Sequence, residues 1–190
     1  MAQVEYWFSP ISPFTYFAGD RLEQTGLSIH YRPFNIPTVF AETGGVPVPK
    51  RSPQRQAYRL QEIARLSKKT GLPVNVQPAF FPVDASRACQ WMIIARDAGA
   101  DIGPLARALL SAVWAEEKDI SDFDTLTAMS EQLGLDPQWL SDAADAGHLL
   151  EAETQAAIDA GVFGSPFYKV GDQVFWGQEK IDELAGYVNP

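Results

Sequence analysis

Ser12 stands just after the apolar run Val4 to Phe8, directly before Pro13-Phe14-Thr15 and at the start of a helical pattern. Serine is a favoured helix cap, and proline at the next position gives up an amide hydrogen that would have no partner there anyway. A helix N-terminus also offers unpaired amides and the positive end of a dipole, which favour an anion such as a thiolate. The Ser12 hydroxyl could add one hydrogen bond to that anion, and stabilising the charged form lowers a thiol's pKa toward neutrality. One unit of such lowering needs about 1.4 kcal/mol, which a charge-assisted hydrogen bond supplies. Serine forms no disulfide, so the sulfur would come from a bound thiol. A plain helix cap is the alternative. A Ser-His hydrolase would have to recruit His30 or His148, neither near Ser12 in sequence. Ser9 repeats the spacing but stands against the strand, where it shapes the loop, and Thr15 reads as a first-turn helix residue.

Two later segments could complete a site. In Phe163-Gly164-Ser165-Pro166-Phe167 a glycine and a proline immediately precede a strand, the setting in which cis prolyl bonds occur. A cis Ser165-Pro166 bond would free the Ser165 backbone on one side to pair with an extended peptide; an ordinary turn proline is the alternative. In Phe175-Trp176-Gly177-Gln178-Glu179 a strand passes through glycine into a helix start, where a carboxylate could approach the backbone closely. The alternative there is a helix entry with Trp176 in the core. Cys89 lies beside Trp91 and Met92 in an apolar helical pattern and reads as packing. Glu116 and Glu117 are adjacent, so on a helix they diverge and suit a solvated end better than an acid-base pair.

The elements that must position these residues follow from periodicity. Val4 to Phe8 is a buried strand, and a helix from Ser12 to Gly26 carries Phe14, Phe17, Ala18 and Leu22 on one face. Ser28 to Phe34 is a second strand. Between Phe34 and Pro53, Pro37, Pro47, Pro49 and the pair Gly44-Gly45 resist helix and strand alike, which predicts a long packed loop. Residues 54–70 form a helix with a basic outer face, ended by Gly71 and Pro73. Apolar sets around Trp91, Leu109, Leu126 and the cap Asp136-Pro137 predict four or five more helices, with Ser121 and Asp124 as a capping box. Phe167 to Val170 and Gln173 to Trp176 flank a turn at Gly171-Asp172 and read as a hairpin, and a last helix carries Ile181, Leu184, Ala185 and Val188. The order is β-α-β, a helical insertion, then β-β-α.

The totals narrow the chemistry. A chain of 190 residues, 46% apolar, has ample material for a core. Its net charge of -9, with no sizeable basic cluster, opposes nucleic acid and anionic membranes as partners. No apolar run reaches the roughly 18 residues that span a bilayer, and no secretory signal is evident, which predicts a cytoplasmic protein. One cysteine and two distant histidines argue against a disulfide and against a metal site.

In sequence order, Ser12-Pro13-Phe14-Thr15-Tyr16, Phe163-Gly164-Ser165-Pro166 and Trp176-Gly177-Gln178-Glu179 together resemble the 2-hydroxychromene-2-carboxylate isomerases, relatives of kappa-class glutathione transferases and DsbA-type oxidoreductases. Val113-Trp114-Ala115-Glu116 is similar to part of that family's helical insertion. The resemblance implies an α/β thioredoxin-like domain built from residues 1–35 and 161–190, with 36–160 as loop plus all-helical insertion. It implies glutathione as cofactor, a small aromatic carboxylate as substrate, and a homodimer. Ser12 would hold and activate the glutathione sulfur, Ser165 and Pro166 would pair with its cysteinyl part, and Trp176, Gly177, Gln178 and Glu179 would meet its γ-glutamyl end. Where some members carry a loop asparagine this chain has Val48-Pro49-Lys50-Arg51, and Lys50 is the residue there that could meet a carboxylate. Gln178-Glu179 replaces the family's more common Asn-Asp. Two other functions compete: a kappa-type glutathione transferase, and a non-catalytic thioredoxin-like module binding peptide across the Pro166 edge.

Overall fold

The computed structural model describes residues 3–189. The strands β1 (Gln3–Phe8), β2 (Ser28–Pro33), β3 (Phe167–Val170) and β4 (Gln173–Trp176) form one sheet in the order β2-β1-β3-β4. β1 runs parallel to β2, with Tyr6 opposite Tyr31, and antiparallel to β3, with Tyr6 opposite Tyr168. The hairpin closes Phe167 against Trp176. Alternation along β1 splits its side chains between two faces. Val4, Tyr6 and Phe8 point one way, where Tyr6 stacks on Tyr168 at 5.2 Å between ring centroids and meets Tyr31 edge-on. Trp7 points the other way and joins Phe34, Val39, Ala157, Val162 and Phe167.

The helices divide accordingly. α1 (Pro13–Tyr16) and α2 (Arg21–Gln24) follow β1, and α3 (Ile36–Thr43) follows β2. α4 (Pro53–Thr70), α5 (Ser86–Asp97), α6 (Gly103–Trp114), α7 (Phe123–Leu133), α8 (Pro137–Asp142) and α9 (Gly147–Asp159) fill the middle, and α10 (Ile181–Val188) closes the chain. The Tyr6 face of the sheet and the insertion share one continuous core that runs from Phe17 and Leu22 through Trp91, Leu109 and Leu126 to Ile181 and Leu184. α3 and α9 help cover the Trp7 face. Both lie inside the segment expected as insertion, and each of the two clusters draws residues from both parts of the chain.

Three local expectations are corrected. The helix expected from Ser12 to Gly26 breaks into α1 and α2 across a turn at Phe17 to Asp20, where Gly19 takes a φ of +59°. The segment expected as a loop holds α3, because Asn35 caps it by accepting from the Thr38 amide and Pro37 falls in the first turn, where proline is compatible with helix. Val48–Lys50 forms a further 3₁₀ turn. The α7 cap is Asp122, accepting from the Thr125 amide, while Ser121 donates to Asp119 instead. Other termini follow the sequence, with Gly71 ending α4 in the left-handed region and Asp136 capping α8, while Ser52 caps α4 one residue before its Pro53 start.

Candidate active site

β1 delivers the chain to a buried junction. The Ser12 hydroxyl donates to the carbonyl of Ser165 at 3.0 Å and accepts from the Thr15 amide at 3.3 Å. The Ser165 hydroxyl in turn accepts from the Ser9 amide at 2.8 Å and shares a 2.7 Å hydrogen bond with the Thr15 hydroxyl. All four residues are buried. The Ser165-Pro166 peptide bond is cis, and the Pro166 carbonyl accepts from the Gly177 amide at 3.0 Å. The Ser165 amide itself donates to nothing among the described residues. Two segments 153 residues apart in sequence are therefore bound to one another at Ser12, leaving one backbone donor beside it unused.

Sequence reasoning undervalued Thr15 and Ser9. Each reads as local structure from its neighbours alone, and only the fold brings Ser165 between them. Because α1 is a single turn, the dipole of a long helix does not act at Ser12. What remains there to meet an anion is the hydroxyl and nearby backbone amides. No hydrogen bond joins Ser12 to a histidine among the described residues, which removes the Ser-His arrangement.

Trp176 is 54% exposed, not packed in the core, and its ring meets Phe163 edge-on at 5.0 Å. Gly164 lets them meet, since a β-carbon there would lie 2.3 Å from the Trp176 indole nitrogen. Gly177 has a φ of +109°, and the Glu179 carboxylate folds over its Cα, where a β-carbon would come within 2.6 Å. Gln178 is buried, and both its backbone and side-chain oxygens accept from Arg21. Glu179 lines a cleft of 320 Å³ with Asp20, Arg21, Lys69 and Asp182, a lining that carries both signs of charge. Lys50 is exposed at the 3₁₀ turn and forms no ion pair among the described residues.

A second wall comes from the insertion. Tyr16, whose amide donates to the Ser12 carbonyl, donates its hydroxyl to the carbonyl of Pro73 at 2.5 Å. Burial, with the Glu116 carboxylate adding to it, raises the Tyr16 pKa, so the phenol keeps its proton. The Asn75 amide then donates to Trp114, tying residues 73–75 to the end of α6. Burial raises the Cys89 thiol well above the reactive range, which leaves it as packing. Glu116 pairs with Lys118 and Ser111, a solvated end, as its sequence suggests. No group of metal-binding side chains occurs among the described residues.

This constellation covers the whole chain, and so does its likeness to known proteins. The model of the DsbA-like thioredoxin domain matches residues 3–189. A 2-hydroxychromene-2-carboxylate isomerase of Sphingobium xenophagum is 32% identical, over 97% of this chain and 97% of its own. The chain belongs to that isomerase family. A solved 2-hydroxychromene-2-carboxylate isomerase superposes with a TM-score of 0.78 at 28% identity, over 98% of this chain and 94% of the other. A Caenorhabditis elegans protein named glutathione S-transferase kappa 2 is 21% identical over 97% of this chain and 91% of its own. The fold is thus the family's DsbA-like thioredoxin domain with a helical insertion, and the chain is an enzyme of the isomerase kind.

Proposed function

We propose that this enzyme is a glutathione-dependent cis-trans isomerase acting on 2-hydroxychromene-2-carboxylate or a similar aromatic carboxylate. The observation that carries the proposal is the buried Ser12 hydroxyl against the Ser165 carbonyl, with the Ser165 amide beside it lacking an acceptor among the described residues. A backbone amide without a protein acceptor is free to donate to a ligand carbonyl. The residues fit glutathione. Ser165 would pair with its peptide backbone, and the cleft holding Arg21, Lys69, Glu179 and Asp182 matches the zwitterionic γ-glutamyl end. Bound there, glutathione supplies a thiolate that adds reversibly to a conjugated carbon, permits rotation about the former double bond, and is recovered.

The protein's part is to hold the thiol in its charged form. Ser12 exchanges a neutral hydrogen bond to Ser165 for a charge-assisted one, a gain available only when the sulfur is ionised. Tyr16, kept protonated, fixes the wall formed by residues 73–75 beside it. We extend the proposal to a cytoplasmic setting, where thiols stay reduced. Calorimetric titration with glutathione at several pH values tests it: the wild type binds with proton release, and Ser12→Ala loses that release and roughly 10- to 100-fold in turnover. Absence of binding at millimolar glutathione would overturn the proposal. The kinship with a kappa-named protein supports a second reading, a transferase that consumes glutathione; the stoichiometry of glutathione over many turnovers separates the two.

A further inference from the structure

Arg59 is the one arginine among the described residues that is buried. The side chains of Arg21, Arg32, Arg65, Arg96 and Arg107 each meet a carboxylate. Arg59 is 7% exposed, and no hydrogen bond or ion pair reaches its guanidinium among the described residues. It lies instead over two aromatic rings, 4.9 Å from the centre of Phe81 and 5.5 Å from that of Trp114. The Trp114 indole N–H is also buried without an acceptor among the described residues. Arg51, half-buried and held by its Nε donating to the Val46 carbonyl, adds a second cation nearby. Burial and the repulsion of Arg51 pull the Arg59 pKa down to about 10, so it remains charged at neutral pH.

A chain with 24 acidic residues has placed none of them against its most deeply buried guanidinium. Burying a cation without a counter-ion is costly, and rings alone compensate weakly. The location gives the cost a purpose. Trp114 carries the carbonyl that ties down residue 75, and residue 73 accepts from Tyr16, one turn from Ser12. Arg59 thus stands on the insertion wall that Ser12's own helix contacts. We propose that Arg59, supported by Arg51, is the receptor for the carboxylate of an aromatic substrate, with Phe81 and the partly exposed Phe80 forming the apolar surround.

The proposal rests on the isomerase reading for the identity of the substrate, but its test does not require turnover. Arg59→Met keeps the length and apolar packing while removing the charge. Calorimetry of wild type and variant with cinnamate, with cinnamamide as neutral control and with glutathione separately, gives the readout. Cinnamate is expected to bind the wild type and to weaken at least about tenfold in the variant, whereas cinnamamide binds both equally and glutathione binding is unchanged. Thermal unfolding of Arg59→Met should match or exceed the wild type, since an uncompensated buried charge is removed. Arg59→Lys is expected to fall between the two, retaining charge but not the planar group. Equal cinnamate affinity in wild type and Arg59→Met overturns the proposal. Loss of glutathione binding in place of cinnamate binding also overturns it, by giving Arg59 to the cofactor. If wild type binds cinnamate through Arg59 but not glutathione, the isomerase reading fails and the receptor stands.

Discussion

At the scale of single residues, Ser165 is the hub, because it binds Ser9, Ser12 and Thr15 at once and holds the late segment against the end of β1. Thr15 is the member whose role is easiest to isolate. Its hydroxyl is buried and bonded to the Ser165 hydroxyl at 2.7 Å, and valine has nearly the same shape without the polar atom. Thr15→Val should lower stability by about 1 kcal/mol in denaturant unfolding, the net worth of one hydrogen bond. It should also weaken glutathione binding, because Ser165 loses a restraint while keeping its bond from Ser9. Unchanged affinity together with reduced stability would make Thr15 a structural residue only. The cap at Ser12 was legible in sequence because capping is local chemistry. The Thr15 contact was not, since its partner lies 150 residues away.

At the scale of elements, the parts that follow from local patterning match the sequence: β1, the hairpin of β3 and β4, the caps of α4 and α8, and α10. The misses share a cause. α3 hides in a proline-rich stretch because Pro37 reads as a breaker until its place in the first turn is known. Arg59 reads as part of a basic outer face because nothing in the sequence of α4 reveals that Phe81 and Trp114 cover it. β2 supplies a testable consequence of such covering. His30 is partly buried, and burial first, then Arg96 and Arg32, lower its pKa against the smaller opposing pull of Glu153 and Glu5. The folded state therefore binds fewer protons at His30 than the unfolded state does at pH values near and below about 6.5. Stability contributed by keeping His30 neutral is full above that pH and is lost as pH falls through it. His30→Gln should flatten the fall in melting temperature between about pH 7 and pH 5 while leaving the steeper carboxylate limb below about pH 4.5 in place. An unaltered slope would overturn the assignment of that window to His30.

At the scale of the whole molecule, the sheet buries β1 and β3 between neighbours and leaves β4 as a free edge. That edge is unusually apolar for one facing water. Val174 is 49% and Trp176 54% exposed, and Phe163, 42% exposed, extends the patch beyond the strand. Free edges of this kind invite pairing unless charge, proline or another surface protects them. The Trp176 end also carries residues proposed to meet glutathione, so one surface has two candidate occupants, a ligand and a second copy of the chain. Their signatures differ. If the patch is the contact of a homodimer, sedimentation of the wild type should give twice the mass of one chain, and Val174→Lys should shift it toward the monomer while leaving the buried Ser12 and Ser165 contacts intact. If Trp176 serves the ligand alone, the wild type should sediment as a monomer, and Trp176→Ala should weaken glutathione binding with no change in mass. A dimer that Val174→Lys does not disturb would move the interface to another face and leave the β4 edge to the ligand.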